Sequence, residues 1–134
     1  MTDQLISFPD IEMLVVDNLK DRSELDGALV DNRLPAGFDG TRRAVFVSRS
    51  GGVWTDDDLD QALIDLEVYA PDKPAAHLLS LAARGLVLQL EGTSYGGALV
   101  TDVREEDGPR WLPDYVHGGV PRYRSTTRLS VRPL

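Results

Sequence analysis

With 134 residues, 42% of them hydrophobic and 27% charged, the chain can build one core and is expected to form a single domain spanning 1–134. A net charge of −8 argues against general nucleic-acid binding, and zero cysteines remove disulfides, thiolate metal sites and thiol catalysis together. No apolar run approaches the ~20 residues of a membrane span, and the opening Met1-Thr2-Asp3-Gln4 lacks the basic start of a secretory signal, so the chain is expected to remain where it is made.

The first predicted element is a helix. Pro9 and Asp10 suit a first turn, and Ile11, Leu14, Val15 and Leu19 then fall on one apolar stripe. Residues 29–34 can form a short strand ended by Pro35, and Gly37-Phe38-Asp39-Gly40 is turn chemistry. A strand is predicted over 43–48, rich in β-branched and aromatic residues, followed by a turn at Ser50-Gly51-Gly52, the apolar Trp54 and an acidic loop over 56–60. Residues 64–69 alternate, with Ile64, Leu66 and Val68 on one face and Asp65, Glu67 and Tyr69 on the other.

After Pro71, Asp72 is a cap and Pro74 sits where a helix tolerates proline. The helix is expected to run to about Leu90 and to bury Leu78, Ala82, Leu86 and Leu90, with Leu81 and Leu88 widening the stripe. A strand follows over 98–104, then a long loop over 105–119 rich in Gly, Pro and charge. The closing strand, 122–132, places Tyr123, Ser125, Thr127, Leu129 and Val131 on one face and Arg122, Arg124, Arg128 and Arg132 on the other. These arginines would pair with Asp65 and Glu67 if the two strands are neighbours. The order predicts an α+β fold: a mostly antiparallel sheet of about four to five strands with two main helices packed on one face.

Charge is unevenly spread. Residues 1–70 hold 15 acids and 6 bases, whereas 71–134 hold 7 acids and 8 bases. A molecule so divided can neutralise itself within one sheet or attract copies of itself head to tail.

Nothing in the motifs points to catalysis. The two histidines, His77 and His117, stand in a helical pattern and a Gly-rich loop, without a G-x-S-x-G turn or a phosphate-binding glycine loop. Two isolated histidines make a poor zinc site. Asp56, Asp58, Asp60 and Glu67 match calcium-loop positions 1, 3, 5 and 12, but Gln61 replaces the required glycine and the flanks are β-like rather than helical. No cofactor or metal is expected, and the chain is expected not to be an enzyme. Trp111 and Tyr115, in the predicted long loop, are either a lid over the core or anchors for a partner, and the loop's length favours a partner.

Several phrases together resemble a known family. Leu66-Glu67-Val68-Tyr69-Ala70-Pro71 is followed by an Ala/Leu-rich helix and a strand ending Val103-Arg104-Glu105. Gly108-Pro109-Arg110-Trp111-Leu112-Pro113-Asp114 and Gly119-Val120-Pro121-Arg122-Tyr123 then lead into the closing strand. This organisation resembles the tail terminator (tail completion) proteins of long-tailed, siphovirus-type bacteriophages, most closely those of actinobacterial phages. The resemblance implies a virion protein of the tail and neck, assembled in the host cytoplasm into a hexameric ring. That ring would cap the tail tube, end its polymerisation and join it to the head connector or head-closure protein. DNA would pass through without specific binding. The alternatives are a neighbouring head-closure or head–tail adaptor protein, and a small metal-binding regulatory domain using the Asp56–Glu67 acids. The family brings no catalytic residues. The expected interface residues are Arg122, Arg124, Arg128, Asp65, Glu67, Trp111 and Tyr115, with the 105–119 and 56–60 loops as binding surfaces.

Overall fold

The computed structural model describes residues 5–134. Two helices and a six-stranded sheet follow in the order α1 (Ile11–Leu19), β1 (Leu29–Asp31), β2 (Ala44–Trp54), β3 (Asp60–Tyr69), α2 (Lys73–Leu88), β4 (Ser94–Tyr95), β5 (Ala98–Trp111) and β6 (Arg122–Pro133). The sheet order is β1-β2-β3-β6-β5-β4, antiparallel except for β1, which runs parallel to β2. The fold is α+β, as the sequence predicts, but the sheet is mixed and has six strands rather than four to five. The extra strand is the short edge β4, too brief for an alternation to reveal, while β1 falls within the strand predicted over 29–34.

Local chemistry starts both helices. The Asp10 carboxylate accepts from Met13 N at 3.1 Å, and the Asp72 carboxylate accepts from Ala75 N at 2.8 Å, each covering an orphan amide of the first turn. Between the helices and the sheet lies one apolar cluster. Leu14, Val15 and Leu19 from α1, Leu79, Ala83, Leu86 and Val87 from α2, and Val45, Val47, Ile64, Leu66, Val68, Leu129 and Val131 from the sheet all belong to it. The period of two holds: Ala62, Ile64, Leu66 and Val68 of β3 all point inward.

Three predicted details differ. On α2 the buried set is Ala76, Leu79, Ser80, Ala83, Leu86 and Val87, while Leu78, Leu81 and Leu88 are exposed and Ala82 is half-buried. The helix carries leucines on more than one stripe, and the sheet takes the stripe holding the small Ala76 and Ala83. Ser80 is accommodated there because its hydroxyl donates to His77 O at 2.7 Å.

Ser50-Gly51-Gly52 is not a turn. The segment forms a bulge within β2, with the register to β3 shifting between Arg49 and Gly51. Gly52 has a φ of +118°, and a Cβ there would stand 1.9 Å from Gln61 O, so only glycine allows the strands to stay paired. The hairpin therefore continues to Trp54 and Asp60 before it turns.

The predicted loop at 105–119 is strand as far as Trp111. Its partner β6 supplies the ladder, and register shifts between Val100 and Asp102, Glu105 and Asp107, and Asp107 and Arg110 absorb the irregular residues, Pro109 among them. The bent strand leans over α2, where Arg84 Nη1 lies 3.3 Å from Glu105 Oε1. Only 112–121 remains a connection.

Candidate functional site

The face of the sheet away from the helices carries the residues singled out in the sequence. β3 and β6 are antiparallel neighbours with Glu67 opposite Arg124 and Asp65 opposite Thr126. The ion pairs run diagonally across this register. Arg124 Nη2 donates to Asp65 Oδ2 at 2.7 Å, and Arg122 Nη1 lies 3.6 Å from Glu67 Oε2. Asp65 also accepts from Thr126 Oγ1 at 2.6 Å and Ser50 Oγ at 3.3 Å. With three donors around it, its side chain is only 5% exposed and sits as a satisfied buried carboxylate. Arg128 turns the other way and pairs with Glu106 at 2.9 Å. Arg122, Arg124 and Arg128 are thus engaged within the subunit, while Arg132, exposed near the end of β6, has no ion-pair partner among the described residues.

At one end of this face lies a second polar cluster that no motif announces. Asp114 is buried, and its Oδ2 accepts from Tyr69 Oη at 2.7 Å and stands 2.6 Å from His117 Nδ1 and 3.8 Å from Arg122 Nη1. Its Oδ1 caps the amides of Val116 and His117, and Asp114 N donates to Val120 O at 3.0 Å. Burial alone would raise the Asp114 carboxyl pKa. The hydrogen bonds from Tyr69 and His117 and the nearby charges of His117 and Arg122 outweigh it and hold that pKa below the ordinary carboxylate value. The Tyr69 hydroxyl is pushed upward, first by burial and then by donating to Asp114. Phe38 meets the Tyr69 ring edge-on at 4.9 Å, and Gly40 lies so close to Val120 that a Cβ there would stand 2.2 Å from its methyl. Asp114 therefore clamps 112–121 and the 37–41 turn over the end of the sheet.

Trp111 and Tyr115, expected together in one loop, separate. Trp111 is on β5, packed on Tyr123 with centroids 5.4 Å apart and with Lys73 Nζ 4.6 Å from its ring, so it covers the start of α2. Tyr115 stands out from the clamped loop at 80% exposure, beside the exposed Val116.

Two further exposed patches come from elements read otherwise in the sequence. Val53 and Trp54 project from the β2–β3 tip, Trp54 at 57% exposure, with Phe8 edge-on at 5.4 Å. The same tip carries exposed Asp56, Asp57 and Asp58. Among the described residues none of the three has an ion-pair partner, while Asp58 Oδ1 accepts from Trp54 Nε1 at 3.1 Å. Asp60 belongs to the strand and takes Arg49 at 2.6 and 2.8 Å. Glu67 lies far along β3, so the calcium-like spacing is not gathered into one loop. Among the described residues no group of three His, Cys, Asp or Glu could hold a metal ion, and no helix is long and apolar enough to cross a membrane.

The other patch is on α2. Leu78 is 68% exposed and joins Pro74, Ala75 and Leu79 in lining a groove of about 350 Å³, with Glu24, Asp26 and Arg43 on its far wall. The leucine spacing predicts a buried Leu78 instead, because periodicity alone cannot tell which stripe the sheet takes.

No protein-family model matches this chain, and no curated protein matches it. The fold and the surface together define an α+β protein whose charged sheet face is paired within itself and whose outward features are apolar patches on three different elements.

Proposed function

We propose that the chain is a structural subunit that closes with copies of itself into a ring, caps the tail tube of a long-tailed bacteriophage, ends its polymerisation and receives the head connector. The observation that carries this reading is the presence of unlike exposed patches on separate elements: Val53–Trp54 with its acids, the α2 groove, and Tyr115–Val116. A ring requires that one patch on a subunit meet a different patch on the next. A protein between a tube and a connector needs further surface for each neighbour, and the Tyr115–Val116 loop is suited to that axial contact. The resemblance in sequence organisation supplies the phage role and the expected copy number of six. In this reading the protein works in the virion neck, after assembly in the host cytoplasm, by binding rather than by catalysis.

The test is a phage lacking the gene for this chain, imaged by electron microscopy. Overlong, headless tails restored to normal length by the chain supplied in trans are expected. Normal tails beside leaking heads would instead place the chain at head closure. Its absence from finished particles would end the phage reading.

A further inference from the structure

We propose that neighbouring subunits are joined by strand addition, with Leu5–Phe8 of one copy seated on the bare outer edge of β5, at Asp102–Glu105, of the next. This rests on the ring reading and names the two segments that make its joint.

The acceptor is an unpaired sheet edge. β4 pairs only with Ala98 and Leu99, and Gly92 and Thr93 bond Val100. Among the described residues no strand then neighbours β5 on its outer side from Thr101 to Trp111. On its inner side Thr101 Oγ1 donates to Ser130 O at 3.2 Å, so Ser130 turns its backbone toward β5. Asp102, opposite Ser130, and Arg104 therefore bond β6, while Val103 and Glu105 turn their amides and carbonyls outward. Such an edge is a template for a further strand. Bulges at Thr101 and Glu106 limit the regular stretch to the four residues Asp102–Glu105, which admits a short strand and refuses a long one.

A wall stands over this edge. His77, Leu81, Arg84 and Leu88 fall at i, i+4, i+7 and i+11 of α2, one ridge of the helix. The ridge follows the β5 side of the sheet, since His77 packs on Tyr123 and Arg84 lies 3.3 Å from Glu105. Leu81 and Leu88 are exposed along it, and Val103 is a half-buried fringe of the core below. An added strand gains backbone bonds from β5 and apolar contact from these three side chains.

The donor matches in length, charge and place. Leu5-Ile6-Ser7-Phe8 belongs to no helix or strand, Leu5 is 96% exposed, and among the described residues its backbone has no hydrogen-bond partner. Four residues fill the window, and Ile6 and Phe8 favour a strand. The window's charges close on themselves, Arg104 holding Asp102 at 2.8 Å and Arg84 holding Glu105. An uncharged donor leaves that balance intact, whereas the β2–β3 tip would bring Asp56, Asp57 and Asp58 without a counter-charge. Phe8 meets Trp54 edge-on at 5.4 Å on β2, three strands from β5 in the sheet order. Pro9 packs on Gly96, beyond β4, so β4 and residues 92–93 stand between the segment and the chain's own Asp102–Glu105. The edge it fills is another molecule's. A contact between two unlike parts of identical subunits is heterologous and propagates head to tail, closing when the rotation per subunit permits.

The experiment uses the full chain, alone and on purified tail tubes, with mass measured by light scattering and amide exchange followed in free and assembled chains. Ile6→Pro removes a strand amide and should weaken association by more than about tenfold. Leu88→Lys, a change the last turn of a helix accepts, should do the same. Both positions are exposed, so circular dichroism and melting should stay unchanged. The amides of Val103 and Glu105 should exchange more slowly in assembled wild type than in free chain, and Ile6→Pro should abolish that slowing. Because the chain has no cysteine, Ser7→Cys in one chain and Arg104→Cys in another should be joined by a short bismaleimide when the two are mixed and not when either is alone. A chain carrying both should give covalent multimers. A cross-link within one chain, or to the tube protein, would overturn the exchange between copies. So would rings that persist in Ile6→Pro with Val103 and Glu105 exchanging as in the free chain, and in both cases the ring reading stands. Wild-type chain that stays monomeric alone and on tubes would overturn the ring itself, and the joint with it.

Discussion

The two faces of the sheet are made by the same strands, one residue out of phase, and are held by different physics. On β3, Leu66 points into the helix-covered cluster and Asp65, its neighbour in sequence, points to the open face. The first is stabilised by burial against both helices and the adjoining strands, which is additive and indifferent to partner identity. The second is stabilised only because Arg124, Thr126 and Ser50 meet it with correct geometry. The difference teaches why the open face is a weak candidate for the subunit joint. Its charges are already matched, and a partner would have to compete with bonds inside the subunit. The sites left to a partner are those at the ends and bare edges of the strands.

The largest effect should come from breaking the covered face. Leu66→Ala is expected to cost about 2–5 kcal/mol, the range for removing a fully buried leucine side chain. Asp65→Ala should cost less, about 1–3 kcal/mol, because the Arg124 it leaves behind is 34% exposed and can turn toward water. Urea unfolding of both variants checks the order. An Asp65→Ala loss equal to or larger than that of Leu66→Ala would mean that the polar face, not the core, dominates stability.

Thr127 sharpens the comparison because it is a polar residue on the apolar face. It is fully buried on β6, opposite Ile64, and among the described residues its hydroxyl has no hydrogen-bond partner. An unmet buried donor costs free energy that a methyl group of similar shape does not. Thr127→Val is therefore expected to raise stability by about 1 kcal/mol, seen as a higher melting temperature. A lowered one would show that the hydroxyl is satisfied in solution.

How much of this was legible depends on whether a pattern had one physical interpretation. The α1 stripe of Ile11, Leu14, Val15 and Leu19 has one, and all four are buried. The alternation through Ile64, Leu66 and Val68 also has one, and its opposite phase placed Asp65 and Glu67 beside the arginine strand. On α2 the leucines admit several stripes, and which one is buried is decided by how closely Ala76 and Ala83 approach the sheet, a tertiary fact. Ser50-Gly51-Gly52 and the 105–111 segment look like turn and loop because glycine, proline and charge usually break strands. Here long partner strands tolerate them as bulges, and bulges depend on the neighbour's register. Asp114 was not legible as a clamp at all, since Tyr69 and His117 reach it only after folding, and no short-range spacing encodes that meeting.

The smallest effect concerns that clamp, and its sign follows from Asp114. Its folded pKa is depressed, through hydrogen bonds from Tyr69 and His117 and the charges of His117 and Arg122, against the opposing push of burial. A carboxyl that is more acidic in the folded protein contributes stability above the unfolded value of about 4, and loses it as pH falls through the folded value. The 112–121 loop should accordingly stay closed through neutral and mildly acid conditions and loosen only below about pH 4. Of the other depressed carboxyls, Asp17 and Glu24 lie elsewhere on the molecule but Asp39 stands in the neighbouring 37–41 turn, so a local readout is needed. The backbone amides of Val116 and His117, which donate to Asp114 Oδ1, provide one by nuclear magnetic resonance. Their shifts should move together in acid, and Asp114→Asn should abolish that movement while leaving the amides of the β3 core unchanged. Amide movement that persists in Asp114→Asn would show that a group other than Asp114 governs loop closure, and the anchoring of the Tyr115–Val116 patch would then not depend on this carboxylate.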